Sequence, residues 1–272
     1  MKTEDQIREQ VRERYTAAVS MKSGCCASST HEIPAERVAC CGGYSEQELK
    51  SIPADAVQNS FGCGNPLAFS GVSPGQTVVD IGSGAGIDCL LAAQKVGAEG
   101  KVIGIDMTPV MIEKAQKNAV KANAQNVEFR LGTAEKMPLA DQEADWIISN
   151  CVINLSPNKP AVFNEAFRTL RSGGQLSISD IMVEELPASL RESSALYCAC
   201  VAGAIPEKEY LEGLRNAGFQ DVKVTDRLFY DRDQILEILK EVEFAIDEPL
   251  KALVDKYVTG KIWSAKITAR KP

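Results

Sequence analysis

The chain has a single histidine, His31, and no apolar run near the ~20 residues that a membrane span requires. It has no internal repeat and no low-complexity tract. Its opening, MKTEDQIREQVRERY, is charged throughout and lacks the apolar centre of a signal peptide. Basic residues are in the minority, 30 Lys and Arg against 37 Asp and Glu, and the net charge of -7 argues against a nucleic-acid or anionic-membrane surface. These absences predict a cytoplasmic protein with neither nucleic acid nor membrane as a partner. The remainder is an ordinary globular profile of 44% apolar and 25% charged residues, and 272 residues suffice for one large domain or two small ones. Cysteine is the exception. Nine occur, at positions 25, 26, 40, 41, 63, 89, 151, 198 and 200. The count is odd and the chain is too large to need a disulfide scaffold, so in a reducing compartment these thiols point to catalysis, redox chemistry or metal binding.

Ile7, Val11 and Tyr15 repeat at helical spacing and predict a helix over residues 1–20. Residues 21–60 turn small and irregular, apart from a short helical SEQELKSI, and predict an arm that is mobile in part. Strand and helix then alternate. Strands are expected at 77–82, 101–106, 126–132, 144–150 and 175–181. The helices between them are IDCLLAAQKVG, PVMIEKAQKNAVKA with Pro109 in its first turn, and KPAVFNEAFRTLR ending at Gly173-Gly174. Such alternation means a parallel sheet with crossover helices. Beyond residue 182 come a helix, KEYLEGLRNAG, and two closing strands, DVKVTDRLF and IWSAKITARK, separated by a helical insert, DQILEILKEVE. The expected divisions are an arm over 1–60, a core over 61–182 and a closing segment over 183–272.

The stretch 78-VVDIGSGAGID-88 runs from a strand through three alternate glycines into a helix. Glycines there let the backbone turn tightly and let a ligand approach it closely. Twenty residues past Gly86, Asp106 ends the second strand, where a carboxylate can accept hydrogen bonds from ribose hydroxyls. Dinucleotide folds usually carry G-x-G-x-x-G. Here the pattern is D-x-G-x-G-x-G, with Asp80 ahead of the glycines, and it resembles the class I S-adenosylmethionine methyltransferases. The resemblance implies a Rossmann-like, mostly parallel seven-stranded sheet with helices on both faces. It also implies that Asp80 and the backbone of Gly82, Ser83, Gly84 and Gly86 hold the amino-acid part of S-adenosylmethionine. Asp106 and Met107 then lie beside the ribose. The segment GTAEKMP (132–138) resembles the family's next motif, with Ala134 and Glu135 flanking the adenine; Asn150 is expected at the cofactor as well.

Three further motifs, SFGCGNP (60–66), SNCVINL (149–155) and CVAGA (200–204), together resemble the arsenite S-adenosylmethionine methyltransferases. Residues 221–272 carry little that is diagnostic. Trivalent arsenic is soft and thiol-seeking, and thiolates select soft ions. Three of them can hold it as a pyramid. Cys63 precedes the first strand, Cys151 ends the fourth and Cys200 follows the fifth, so all three can converge over the carboxyl ends of the strands, where open parallel sheets bind ligands. Methyl transfer from a sulfonium needs alignment more than acid–base help, and positioning alone supplies ~7–11 kcal/mol. Phe61 stands where the family commonly has tyrosine, and its ring can still stabilise the sulfonium by ~0.5–2 kcal/mol. Ala199 stands where relatives often have glutamate, so no acid role attaches to that position.

Each methylation formally oxidises arsenic, and a dithiol becoming a disulfide returns the electrons. The resemblance implies that a cysteine of the N-terminal arm takes part, and Cys25, Cys26, Cys40 and Cys41 are the candidates. A thioredoxin- or glutathione-type reductant would restore the thiols. A structural zinc site using these pairs with His31 is the alternative, disfavoured because adjacent cysteines reach one tetrahedral ion awkwardly. Cys89, in an apolar helix, reads as packing; Cys198 has no assigned role. Arsenite and its methylated products are the expected ligands, with no structural metal, and the protein is expected to be a monomer. Two other functions compete. One is methylation of a small organic acceptor, with Asp180 as the best remaining candidate for the base. The other is a thiol-rich soft-metal sensor, which would have no use for the glycine loop.

Overall fold

The computed structural model describes residues 3–20, 43–60, 62, 64–67, 70–191, 196–197, 200–234, 236, 254–257 and 259–272. Along them run α1 (Glu4–Ser20), α2 (Glu46–Lys50), α3 (Ala54–Gln58), β1 (Thr77–Ile81), α4 (Ile87–Val96), β2 (Lys101–Asp106), α5 (Pro109–Lys121), β3 (Val127–Leu131) and β4 (Ala144–Asn150). A 3-10 turn at Ile153–Leu155 follows, then α6 (Lys159–Thr169), β5 (Leu170–Val183), α7 (Ala188–Arg191), α8 (Glu207–Asn216), β6 (Gln220–Phe229) and β7 (Ile262–Arg270). Among the described residues no helix is long and apolar enough to cross a membrane.

The seven strands form one sheet in the order β3-β2-β1-β4-β5-β7-β6. The first five are parallel, and β7 runs antiparallel between β5 and β6. Central parallel strands are covered on both faces and so read as unbroken apolar runs. This is true of β1, where Val78, Val79 and Ile81 are buried, and not of the edge strand β6, which is largely exposed. One face carries a core of Ile103, Ile147, Ile178, Phe163 and Trp263 under α6 and α8. The other packs Val78, Val102 and Ile148 against Leu90 and Leu91 of α4. The strand order reverses between β1 and β4, and in open α/β sheets such a switch point opens a crevice at the carboxyl ends of the strands.

Two segments differ from the expectation. The helix ahead of β5 stops at Thr169 and does not reach Gly173-Gly174, because Leu170 already pairs with Ala144. The register then jumps to Trp146–Gln175, and Gly173, at φ 80°, turns the intervening residues outward to hydrogen-bond Lys271. Residues 43–58, assigned to an irregular arm, are part of the core. Ser45 and Glu48 cap α2 reciprocally, and Tyr44, Leu49, Ile52, Ala56 and Val57 are buried in the α4 cluster. Positions 21–42, with all four arm cysteines and His31, lie outside the described residues, as do Phe61, Cys63, Cys198, Ala199 and most of the helical insert expected at 233–243.

Candidate active site

At the reversal point β1 delivers its chain into the glycine loop. Gly82, Gly84 and Gly86 have φ of 73°, 51° and 94°, a left-handed conformation that only glycine adopts freely. The Gly82 and Ser83 amides both donate to the Ile105 carbonyl, at 2.7 and 2.9 Å, folding the loop over the tip of β2. The Gly84 amide donates to Asp106 Oδ2 at 2.9 Å and Thr108 N to Oδ1 at 2.8 Å. Burial raises the Asp106 carboxyl above its usual range, and these backbone donors oppose the rise.

The loop forms one wall of a cleft of about 940 Å³, counting its open mouth. Of the residues expected at the cofactor, Gly82, Ser83, Gly84 and Asp106 line this wall. Met107, Ala134, Glu135 and Asn150 line the others. Asp80 and Gly86 do not reach the lining. Asp80 is buried beneath the loop, where it accepts a hydrogen bond from the Cys89 thiol at 3.3 Å. Burial, and then the nearby charge of Asp88, pushes its carboxyl well up. Gly86 instead opens α4 against the Phe129 ring.

Sequence reasoning missed two groups in this cleft. The first is a face of α1: Arg8, Val11 and Tyr15 line the opening, and Arg8 pairs with Glu135 at 3.3 Å. Glu135 also accepts a 2.6 Å bond from the Ser156 hydroxyl. The helical spacing of those residues was visible, but their partners lie more than a hundred residues away. The second is Asp88, 3% exposed, which takes a 2.7 Å bond from the Tyr44 hydroxyl and a 3.3 Å bond from the Asn150 amide. Standing in the first turn of α4, it looks in the sequence like an acid complementing the helix dipole.

The thiols gather at the ends of β4 and β5. Cys151 and Cys200 are 4% and 3% exposed and belong to one apolar cluster with Val11, Leu155 and Ile181. The Cys200 thiol donates to the Cys151 carbonyl at 2.7 Å, and the Cys151 amide donates to the Ser179 carbonyl at 2.8 Å. Cys151 lines the cleft and is disulfide-bonded. Gly203 approaches the Asn154 carbonyl so closely that a Cβ there would lie 2.1 Å from its oxygen, which draws the CVAGA segment onto SNCVINL. Position 63 is not described, but both of its neighbours are. Gly64 exchanges hydrogen bonds with the Asn150 side chain, and Gly62 has no room for a Cβ beside that same amide. The third motif is therefore anchored one residue from Cys151.

Both described thiols at this end sit on left-handed backbone, Cys151 at φ 57° and Cys200 at φ 62°. Such conformations cost of order 1–3 kcal/mol in a residue with a side chain and persist where the surroundings impose them, often at functional sites. Cys89 differs. It is fully buried inside α4, its thiol pushed well above the usual range by burial and then by Asp80.

Asp180 does not face the cleft. It is fully buried within β5, accepts bonds from the Asn154 amide and side chain at 3.2 and 2.9 Å, and takes the Tyr210 hydroxyl at 3.3 Å. Burial raises its carboxyl to about 7. It is a strut for the turn that follows Cys151, and the base proposed for an organic acceptor is out of reach of the cleft.

The cleft suits a cationic amino-acid nucleoside on its own features. The Ser83 hydroxyl is buried at 4% exposure without a partner, and a Cβ at Gly84 would meet nothing within 4 Å. Asp80, Asp88 and Asp106 crowd around the loop, and among the described residues no lysine or arginine pairs with them. Strand order, glycine loop and an acid on the second strand together define an S-adenosylmethionine-dependent methyltransferase. Residues 72–242 match the family model described as a methyltransferase domain.

The chain is 39% identical to an arsenite methyltransferase of Halobacterium salinarum over 98% of its own length and 67% of that protein. It is 37% identical to an arsenite methyltransferase of Aquipseudomonas alcaligenes over 69% of its length, spanning 58% of that relative. A crystal structure of an arsenic(III) S-adenosylmethionine methyltransferase from Chlamydomonas reinhardtii superposes with a TM-score of 0.67 at 32% identity, covering 82% of this chain and 71% of the other. The chain belongs to the arsenite methyltransferase family, and its cofactor is S-adenosylmethionine.

Proposed function

We propose that the protein methylates trivalent arsenic bound by Cys63, Cys151 and Cys200. The observation that carries this reading is the meeting of Cys200 with Cys151, which lines the cleft, each on left-handed backbone and joined through the Cys200 thiol and the Cys151 carbonyl. Neither residue type nor packing calls for that conformation twice in one place. Arsenite exchanges its hydroxyls for the three sulfurs, releasing water as each thiol proton leaves. The Cys151 disulfide must first be reduced, because only a thiolate can bind.

S-adenosylmethionine supplies the electrophilic methyl group when bound. The chain's own residues hold and align. Asp106 holds the ribose, the glycine loop the amino-acid half and Glu135 the adenine end, and Asn150 ties the segment next to Cys63 to the tip of β4. Val11 and Leu155 keep water from the thiols. Phe61 stabilises the sulfonium. The arsenic lone pair takes the methyl, and two electrons from a dithiol, which becomes a disulfide, return arsenic to the trivalent state. Cys25, Cys26, Cys40 and Cys41 are the candidates for that step, recharged by a thioredoxin- or glutathione-type reductant in the cytoplasm. We also propose that the protein acts as a monomer.

The test is turnover with arsenite, S-adenosylmethionine and a reductant, followed by speciation of the arsenicals. Serine at position 63, 151 or 200, one at a time, is expected to lower methylarsenical production at least a hundredfold. Full activity in Cys151→Ser overturns the site. Formation of S-adenosylhomocysteine independent of arsenite would instead favour an organic acceptor.

A further inference from the structure

Asp88 has a cleft-facing carboxylate with an unusual set of partners. Both of its recorded donors are neutral side-chain groups, the Tyr44 hydroxyl on Oδ1 and the Asn150 amide on Oδ2. Neither is a backbone amide of α4, so the residue does not cap its own helix. A carboxylate offers about four lone-pair sites, and only two are used. Among the described residues no cation balances it, while Asp80 stands close enough for the two carboxyls to disfavour each other's charge. Burial raises Asp88 to about 6. A buried acid so prepared is costly unless something positive arrives. On the same loop the buried Ser83 hydroxyl waits without a partner. A zwitterion, one cation and one carboxylate on a single carbon, satisfies both.

We infer that Asp88 receives the α-ammonium group of the cofactor's methionine half, aimed by Tyr44 and Asn150, while Asp80 is a buried support that does not touch the ligand. This rests on the methyltransferase class and not on arsenic as the acceptor, so it is tested with no arsenic present.

The measurement is calorimetric binding of S-adenosylhomocysteine and of its deaminated analogue, in which hydrogen replaces the α-ammonium. The wild-type protein is expected to prefer the natural ligand. Asp88→Asn should weaken S-adenosylhomocysteine by about tenfold to a hundredfold, the usual range for a hydrogen bond to a charged group, and change the analogue less than twofold. Tyr44→Phe, which leaves the carboxylate in place but unaimed, should show a smaller loss confined to the natural ligand. Asp80→Asn should keep the preference. The inference is overturned if Asp88→Asn binds S-adenosylhomocysteine like the wild type, if it loses both ligands equally, or if the preference vanishes with Asp80 instead. Should Asp88→Asn fail to fold, Tyr44→Phe decides by the same ratio: an unchanged preference overturns the assignment.

Discussion

The two lips of the cleft use the same backbone conformation for opposite reasons. On one, Gly82, Gly84 and Gly86 adopt positive φ where a side chain would obstruct the ligand or a neighbour. On the other, Cys151 and the Cys200 bonded to its carbonyl adopt it although each carries a Cβ. Left-handed backbone is nearly free for glycine and costs a residue with a side chain roughly 1–2 kcal/mol. A fold that needed only the turn would use glycine on both lips. The difference teaches that at 151 and 200 the side chain is what is being kept.

The sharpest way to break this comparison is Cys151→Gly, assayed under reducing conditions. Relief of the left-handed strain offsets lost burial, so stability should shift by less than about 1 kcal/mol while arsenic methylation disappears. A large fall in melting temperature would mean that the thiol is there for packing.

On the glycine lip the positions should not be equal. A Cβ at Gly82 would lie 2.3 Å from Val152 Cγ2, whereas one at Gly84 would meet nothing within 4 Å. Gly82→Ala should therefore destabilise by about 2–4 kcal/mol, from overpacking added to strain, and Gly84→Ala by about 1 kcal/mol from strain alone. Chemical denaturation of the two variants measures the gap, and equal losses would remove the packing argument.

The smallest effect concerns α1, whose Val11 packs with Cys151 and Cys200. Arg8→Ala breaks a partly buried pair with Glu135, and such pairs contribute at most about 1 kcal/mol. The expected result is a rise of several-fold in the cofactor's KM with kcat nearly unchanged. A fall in kcat instead would place α1 in the chemistry of the thiols.

What the sequence revealed was what is local. The five parallel strands were legible because short apolar or alternating runs bounded by turn residues recur between helical segments. Asp106 was legible because the distance from Gly86 to the end of the next strand is set by one helix and one turn. Contacts made across the chain were hidden. Tyr44 meets Asp88 from 44 residues away, so the segment 43–58 read as an arm when it is core. Asp80, the first acid of the loop, drew attention that its neighbour eight residues on deserved, because nothing in the order D-x-G-x-G-x-G-x-D tells which carboxyl faces up. The cysteine motifs showed which residues matter, yet not that two of them stand on strained backbone, since no glycine marks those turns. The extension of β5 back to Leu170 rests on Ala144 of β4 and, through Gly173 and Gly174, on Lys271 at the end of β7, nearly a hundred positions later.

That last pairing has a bearing on how the protein is made. β7 comes last among the seven described strands, but it fills the gap between β5 and β6 and supplies both with hydrogen bonds. Until Ile262–Arg270 has left the ribosome, the inner edge of β5, with Leu176 and Ile178 on it, has no neighbour. A nascent chain paused before that point exposes an adhesive ribbon, and chaperone occupancy should peak there.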